Sequence, residues 1–194
     1  MKRMVLALLC LLVPVLPALA QIDPDPDGIG IYADLAATTV SVSAEPGVIF
    51  PVYLCVTRAS TLTGIDTWAC RIVTPPNAEI LAWNVPGWSM NVAQPPEFVV
   101  ARGGSAHPPA PVVNIMTFYI RMSDAEAAYF YVEGAPLAGQ GFDQAPVYLE
   151  LGDFNTPHFL HSFPSGPDAP SFAVNATLVA VEPTSWGGVK ALFR

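Results

Sequence analysis

The amino-acid sequence predicts an all-β fold, a two-sheet antiparallel β-sandwich of the jelly-roll kind, on three observations. Apolar and polar residues alternate over many short segments, the period of two of a strand with one face on a core. Twenty-one prolines and fourteen glycines interrupt those segments, and charged residues make up only 12% of the chain, a mixture that suits short strands joined by turns and not a helical bundle. The connections are too short and too rich in proline for the crossover helices of a parallel α/β sheet. About ten strands can be counted in this way, which is the complement of a sandwich.

Ahead of the strands, residues 1–20 read as a cleavable export signal. Lys2 and Arg3 give a positive start, residues 5–16 an apolar stretch too short to span a bilayer, and Ala18-Leu19-Ala20 the small-x-small pattern that a signal peptidase accepts. Lipoprotein processing at Cys10 is disfavoured by the bulky Leu9 before it. No later stretch approaches the ~20 apolar residues of a transmembrane helix, so the expected product is secreted, periplasmic or on the cell surface, without a membrane span. Loss of the signal leaves six basic against sixteen acidic residues, a net charge near −10. That balance argues against nucleic acid and anionic lipid as partners, since both need clustered Lys and Arg.

Residues 21–28 form an acidic N-terminal tail. Asp23, Asp25, Asp27, Gly28 and Asp34 take positions one, three, five, six and twelve of a calcium loop of the D-x-D-x-D-G type. Pro24, Pro26, Gly30 at position eight and Asp at position twelve depart from that pattern, and no helix precedes it. The sequence therefore favours a solvated tail, with calcium the one cofactor left open.

The sandwich domain is expected over residues 29–182, beginning with strands at 30–33 and 39–43. Val48, Phe50, Val52, Leu54 and Val56 then alternate with Ile49, Pro51, Tyr53, Cys55 and Thr57. Trp68, Cys70 and Ile72 repeat the pattern after the turn Thr61-Leu62-Thr63-Gly64. Further strands are expected at 79–83, 97–101, 112–122, 128–133, 147–151 and 172–181. In the longest, Met116, Phe118 and Ile120 form the inward face and Thr117, Tyr119 and Arg121 the outward one.

Residues 183–194 predict a short C-terminal helix. Thr184 or Ser185 caps it, Trp186, Val189 and Phe193 follow at helical spacing, and Lys190 and Arg194 suit the C-terminal end of the dipole. Gly187 and Gly188 each cost about 1 kcal/mol relative to Ala. The helix therefore has to be held by its apolar stripe, either as a plug on one end of the sandwich or as a tag for sorting or attachment.

Glu45-Pro46-Gly47 with the alternating run behind it, followed by Gly64-Ile65-Asp66-Thr67-Trp68, resembles the opening of a cohesin-type module. In that family a proline-glycine turn precedes the second strand and a glycine-led strand follows, and segments 112–120 and 128–132 fall where its next strands lie. The two ends, residues 28–34 and 184–194, are similar to small secreted bacterial proteins of unknown function, a resemblance that brings no activity with it.

Cys55 and Cys70 remain as an even pair in an oxidising compartment, which predicts a disulfide. A hairpin about Leu62 and Thr63 sets them opposite each other, and the bridge would contribute ~3 kcal/mol. The cohesin resemblance implies the contrary placement, with the two strands in different sheets, Cys55 turned away from the core and Cys70 into it.

No Gly-x-Ser-x-Gly elbow, His-Glu-x-x-His pair or phosphate-cradling loop is present, so no catalytic residue is predicted. His158 and His161 fall on opposite faces of a strand, and Pro157 and Pro164 exclude a helix, so they read as loop histidines. His107 has no partner in the sequence. Asp66, Glu133, Glu150 and Asp153 are the carboxylates able to meet in a hydrolase. Trp83 and Trp88 flank the turn Asn84-Val85-Pro86-Gly87, where an exposed ring stacks a sugar or anchors a protein and a buried one covers the core edge. The expected function is a secreted, non-catalytic binding or adhesion module for an extracellular protein. The alternatives are a carbohydrate-binding module that uses Trp83 and Trp88 on a glycan, and after it a hydrolase.

Overall fold

The structure, a computed structural model, describes residue 23 and residues 25–136, 144–164 and 168–178. The export signal and the C-terminal helix with Trp186, Val189 and Phe193 lie outside the described residues.

Two sheets form. In the smaller, β1 (Gly28–Tyr32), β3 (Ile49–Thr57), β8 (Val112–Met122), β5 (Ala78–Asn84) and β12 (His161–Ser162) run in the order β12-β1-β3-β8-β5. The larger sheet follows the path β11-β10-β4-β9-β13-β2, from β11 (Asp153–Phe159), β10 (Val147–Glu150), β4 (Ile65–Val73), β9 (Ala128–Glu133), β13 (Phe172–Val174) and β2 (Ser41–Val42). Against the other side of β4 lies β7 (Glu97–Ala101), and against β7 lies β6 (Met90–Asn91). Neighbours are antiparallel except β1 with β12 and β13 with β2.

The alternation in β3 and β8 does what the sequence predicts. Val52, Leu54 and Val56 face Phe118, Met116 and Val113 across the sheet and enter the shared core. A register shift between Leu54 and Cys55 leaves Ile115 as an extra residue, so Ile115 and Met116 are both buried and the alternation slips by one. The larger sheet answers with Trp68, Cys70, Ile72, Phe98, Val100, Phe130 and Phe172. The rings of Trp68 and Phe98 stand 6.4 Å apart and those of Phe130 and Phe172 6.0 Å.

Two glycines carry the turns. Pro46 and Gly47, with Gly47 at φ 81°, make a type II turn closed by the Val48 amide on the Glu45 carbonyl. Gly64 has φ 105°, and a Cβ there would stand 2.3 Å from the His107 carbonyl oxygen. Glycine is thus required where β4 begins.

Three strands, β6, β11 and β12, go beyond the sequence-based expectation, and β13 ends at Val174. His158 and His161 accordingly lie in strands and not in a loop. Pro157 is tolerated because β11 is an edge strand paired with β10 alone, so the missing N–H costs no second ladder.

Candidate functional site

Register across the larger sheet builds an apolar surface on its outer face. Val99, Ala69, Val147 and Phe159 stand directly opposite one another across β7, β4, β10 and β11, and Val92, just after β6, extends the row through its amide bond to the Val99 carbonyl. A second row beside it holds Met90, Ala101, Thr67 and Leu149. Neither row contains a charge. Five strands span roughly 19 Å at about 4.8 Å each. The centre of the surface is roofed by the fully buried Ala135, which packs on Ala69, Val147 and Val99, while the flanks stay open, with Val92 65% and Phe159 53% exposed. Charge begins in the third row, where Arg71 sits between Glu97 and Glu133. The core sits behind these rows because the intervening residues Trp68, Phe98, Val100 and Tyr148 turn inward. No single segment spells this surface, since each strand contributes one or two side chains to it.

Trp83 and Trp88 separate in the fold. Trp83, one residue before the end of β5, meets Phe98 edge-on, with centroids 5.5 Å apart at 85°, so it guards one margin of the core. Trp88 is 62% exposed and lies against Gly103, where a Cβ would come within 2.6 Å of its ring. The turn that carries it is pinned by Arg102, whose guanidinium donates to the Pro86 carbonyl and, at 2.6 Å, to the Ser105 carbonyl. Arg102 Nη1 also reaches His107 Nε2 at 2.6 Å. Burial, with the Arg102 charge adding to it, pushes the His107 imidazole down to about 4, so at neutral pH it is an uncharged acceptor for the guanidinium. Asp66 completes this corner by accepting the Gly104 amide at 2.8 Å.

The expected disulfide between Cys55 and Cys70 is not formed: both thiols are free and buried. They sit in different sheets, Cys55 opposite Gly30 and Asn114 and Cys70 opposite Phe98. Cys70 belongs to the central core, whereas Cys55 belongs to a separate cluster with Tyr32 and Ala37. Segment 58–64 therefore crosses between sheets instead of closing a hairpin, and the family resemblance, not the cysteine count, gave the correct placement.

Of the described residues in the acidic segment, Asp25 and Pro26 are exposed as in a solvated tail whereas Asp23 is buried, and Asp27 and Asp34 turn to separate partners instead of converging with it as a calcium loop would. Asp23 is 2% exposed and meets His161 Nε2 at 2.7 Å. Asp27 accepts from the Ser60 amide and hydroxyl at 2.7 Å and from the Tyr148 hydroxyl at 2.9 Å. Asp34 caps the next turn through the Ala36 and Thr38 amides. β1 runs extended between Asp27 and Asp34 and holds them apart, roughly 20 Å for six residues.

One grouping has no sequence signal, because Ser60 lies 98 residues before His158 on the β10–β11 pair that also carries Tyr148 and Glu150. Ser60 Oγ lies 3.3 Å from His158 Nδ1, His158 Nε2 lies 3.2 Å from Glu150 Oε1, and the imidazole stacks on Tyr148 at 4.6 Å. The order serine, imidazole, carboxylate is that of a nucleophile and its base. The hydroxyl has one proton, however, and Asp27 Oδ2 at 2.7 Å is the nearer acceptor, so the group ties segment 58–64 to β1 and β11. Of the other carboxylates, Glu133 faces Arg71 and Asp153 caps its own turn through Asn155 and Thr156.

No family model matches the chain, and no curated protein matches it. Among solved structures, the sixth cohesin of scaffoldin B from Acetivibrio cellulolyticus, solved with a mutant Cel5 dockerin, superposes with a TM-score of 0.53 at 13% identity over 79% of this chain and 100% of that one. A type II cohesin domain from the cellulosome of the same organism gives 0.51 at 11% identity over 78% and 96%. The chain is a cohesin-like β-sandwich in fold.

Proposed function

We propose that this chain is a non-catalytic module that works outside the cytoplasm and binds a protein through the outer face of its larger sheet. The observation that carries this reading is that two uncharged rows cross this face and leave large apolar side chains open at its margins, Val92 and Met90 on one side and Phe159 on the other, about a centre that Ala135 covers, and exposed apolar groups of this kind mark a protein contact. The cohesin-like fold supports it, since one of the structural neighbours was solved in complex with a dockerin. Export rests on the leader at residues 1–20.

Substitution separates this reading from sugar binding. Val92→Glu and Phe159→Glu place a charge on exposed flanks, where the fold tolerates it, and should weaken a protein partner isolated from the native culture by at least ~10-fold in titration calorimetry, with Trp88→Ala without effect. Trp88 supports the second reading, because its ring backs onto Gly103 and is mostly open to solvent. Binding on a glycan array that Trp88→Ala abolishes, with both glutamate variants unchanged, would replace the first reading by that one.

A further inference from the structure

We infer that the start of β1 carries a divalent-cation site built from Asp23, Asp25 and His161 and completed by the Thr57 hydroxyl. One oxygen from each carboxylate and a ring nitrogen of His161 lie within 4.8 Å of one another. His161 Nε2 stands 2.7 Å from Asp23 Oδ2, and Asp23 Oδ1 accepts the Asp25 amide at 3.0 Å, which draws both carboxylates to the same imidazole. Parallel pairing of Gly28 with His161 fixes the two chain segments side by side. Around an ion with bonds of ~2.1 Å to nitrogen and oxygen, adjacent ligands stand roughly 3 Å apart. The three groups reach that spacing by small side-chain adjustments.

An independent observation points to the same place. The Thr57 and Tyr32 side chains are fully buried and their hydroxyls are neighbours, yet neither reaches a partner at full hydrogen-bond distance, a costly state for a buried polar group. Thr57 Oγ1 and Asp23 Oδ2 both lie within 2.5 Å of the point that a Cβ at residue 28 would occupy. The unpaired Thr57 hydroxyl thus opens toward the Asp23 carboxylate, and only glycine at 28 keeps the space between them clear. Calcium takes six to eight oxygens, whereas one imidazole with two carboxylates and a hydroxyl suits Zn²⁺ or Mn²⁺. This is a different ligand set from the D-x-D-x-D-G loop, because Asp27 and Asp34 are engaged elsewhere and His161 takes part.

The test is titration calorimetry of the tag-free protein with ZnCl₂, MnCl₂ and CaCl₂, repeated on Asp23→Asn, His161→Gln, Gly28→Ala and, as a control histidine, His158→Gln. One equivalent of Zn²⁺ or Mn²⁺ is expected, bound at least ~10-fold more weakly by the first three variants and unchanged in the control. Because Asp23→Asn also removes a buried hydrogen bond, imidazole ¹⁵N resonances of the unmutated protein give a second readout, in which Zn²⁺ shifts His161 and leaves His107 and His158 in place. Absence of saturable binding, full affinity in His161→Gln, preference for Ca²⁺, or a shift confined to the other histidines would each overturn the assignment.

Discussion

The buried pair of Arg102 and His107 makes stability depend on pH in a defined window. An imidazole whose ordinary value is near 6.5 is pushed down to about 4 by burial and by the adjacent guanidinium. Above pH 6.5 neither the folded nor the unfolded chain protonates it, and the pair contributes in full. As pH falls from 6.5 toward 4 the unfolded chain takes up the proton first, so stability declines across that interval and levels off below it. At 1.36 kcal/mol per pH unit the loss is about 3 kcal/mol, and solvent screening at the edge of the site lowers it to about 2 kcal/mol. For a domain of this size that is a fall of roughly 4–8 °C in Tm. His107→Gln keeps an acceptor for Arg102 without a titrating ring. Thermal unfolding of both proteins at pH 7 and pH 4 should therefore show a steeper decline for the native chain by about that amount. Parallel profiles would refute the reasoning, because the other acidic and histidine groups are common to both proteins and cancel in the difference.

Three further outcomes follow from particular residues. The thiols of Cys55 and Cys70 should resist Ellman's reagent in the folded protein, burial having pushed Cys55 up to about 12, and both should react after unfolding without reductant; no reaction after unfolding would mean a bridge. Gly64→Ala forces a side chain into φ 105° and against the His107 carbonyl, and should cost about 3 kcal/mol in the urea midpoint, whereas Gly152→Ala, at φ 89° but in open space, should cost less. Arg102→Met leaves the carbonyls of Pro86 and Ser105 and the His107 ring without their donor. It should destabilise by about 2–4 kcal/mol and alter Trp88 fluorescence as its turn is released.

The parts of the fold that the sequence makes legible are those coded locally. Val52 to Val56 in β3 and Phe118 to Ile120 in β8 face inward because a strand turns successive side chains to opposite faces whatever its partners. The Pro46-Gly47 turn is equally legible, since its residue types set their own dihedral angles. β11 is hidden because Pro157 and an almost wholly solvent-facing strand leave no alternation to read. The slip at Ile115 is hidden because a bulge depends on the partner strand.

The candidate surface fails to show in the sequence for a related reason. Val92, Val99, Ala69, Val147 and Phe159 are scattered over five segments, and each looks like one more apolar residue until register aligns them. His161 is 138 residues from Asp23 and His158 is 98 from Ser60, and such distant partners meet only because the sheets bring their strands together, as the pairing of β1 with β12 does for the first pair. The cysteines teach the same lesson in reverse, because proximity in sequence suggested a bridge that their assignment to different sheets forbids. By itself the sequence determined that the chain forms strands, which sides of the longest ones are buried and where glycine must turn, because backbone sterics and side-chain alternation act over a few residues. Only the tertiary structure decided which strands share a sheet and hence which side chains meet, because register between distant segments is set by packing the whole core at once.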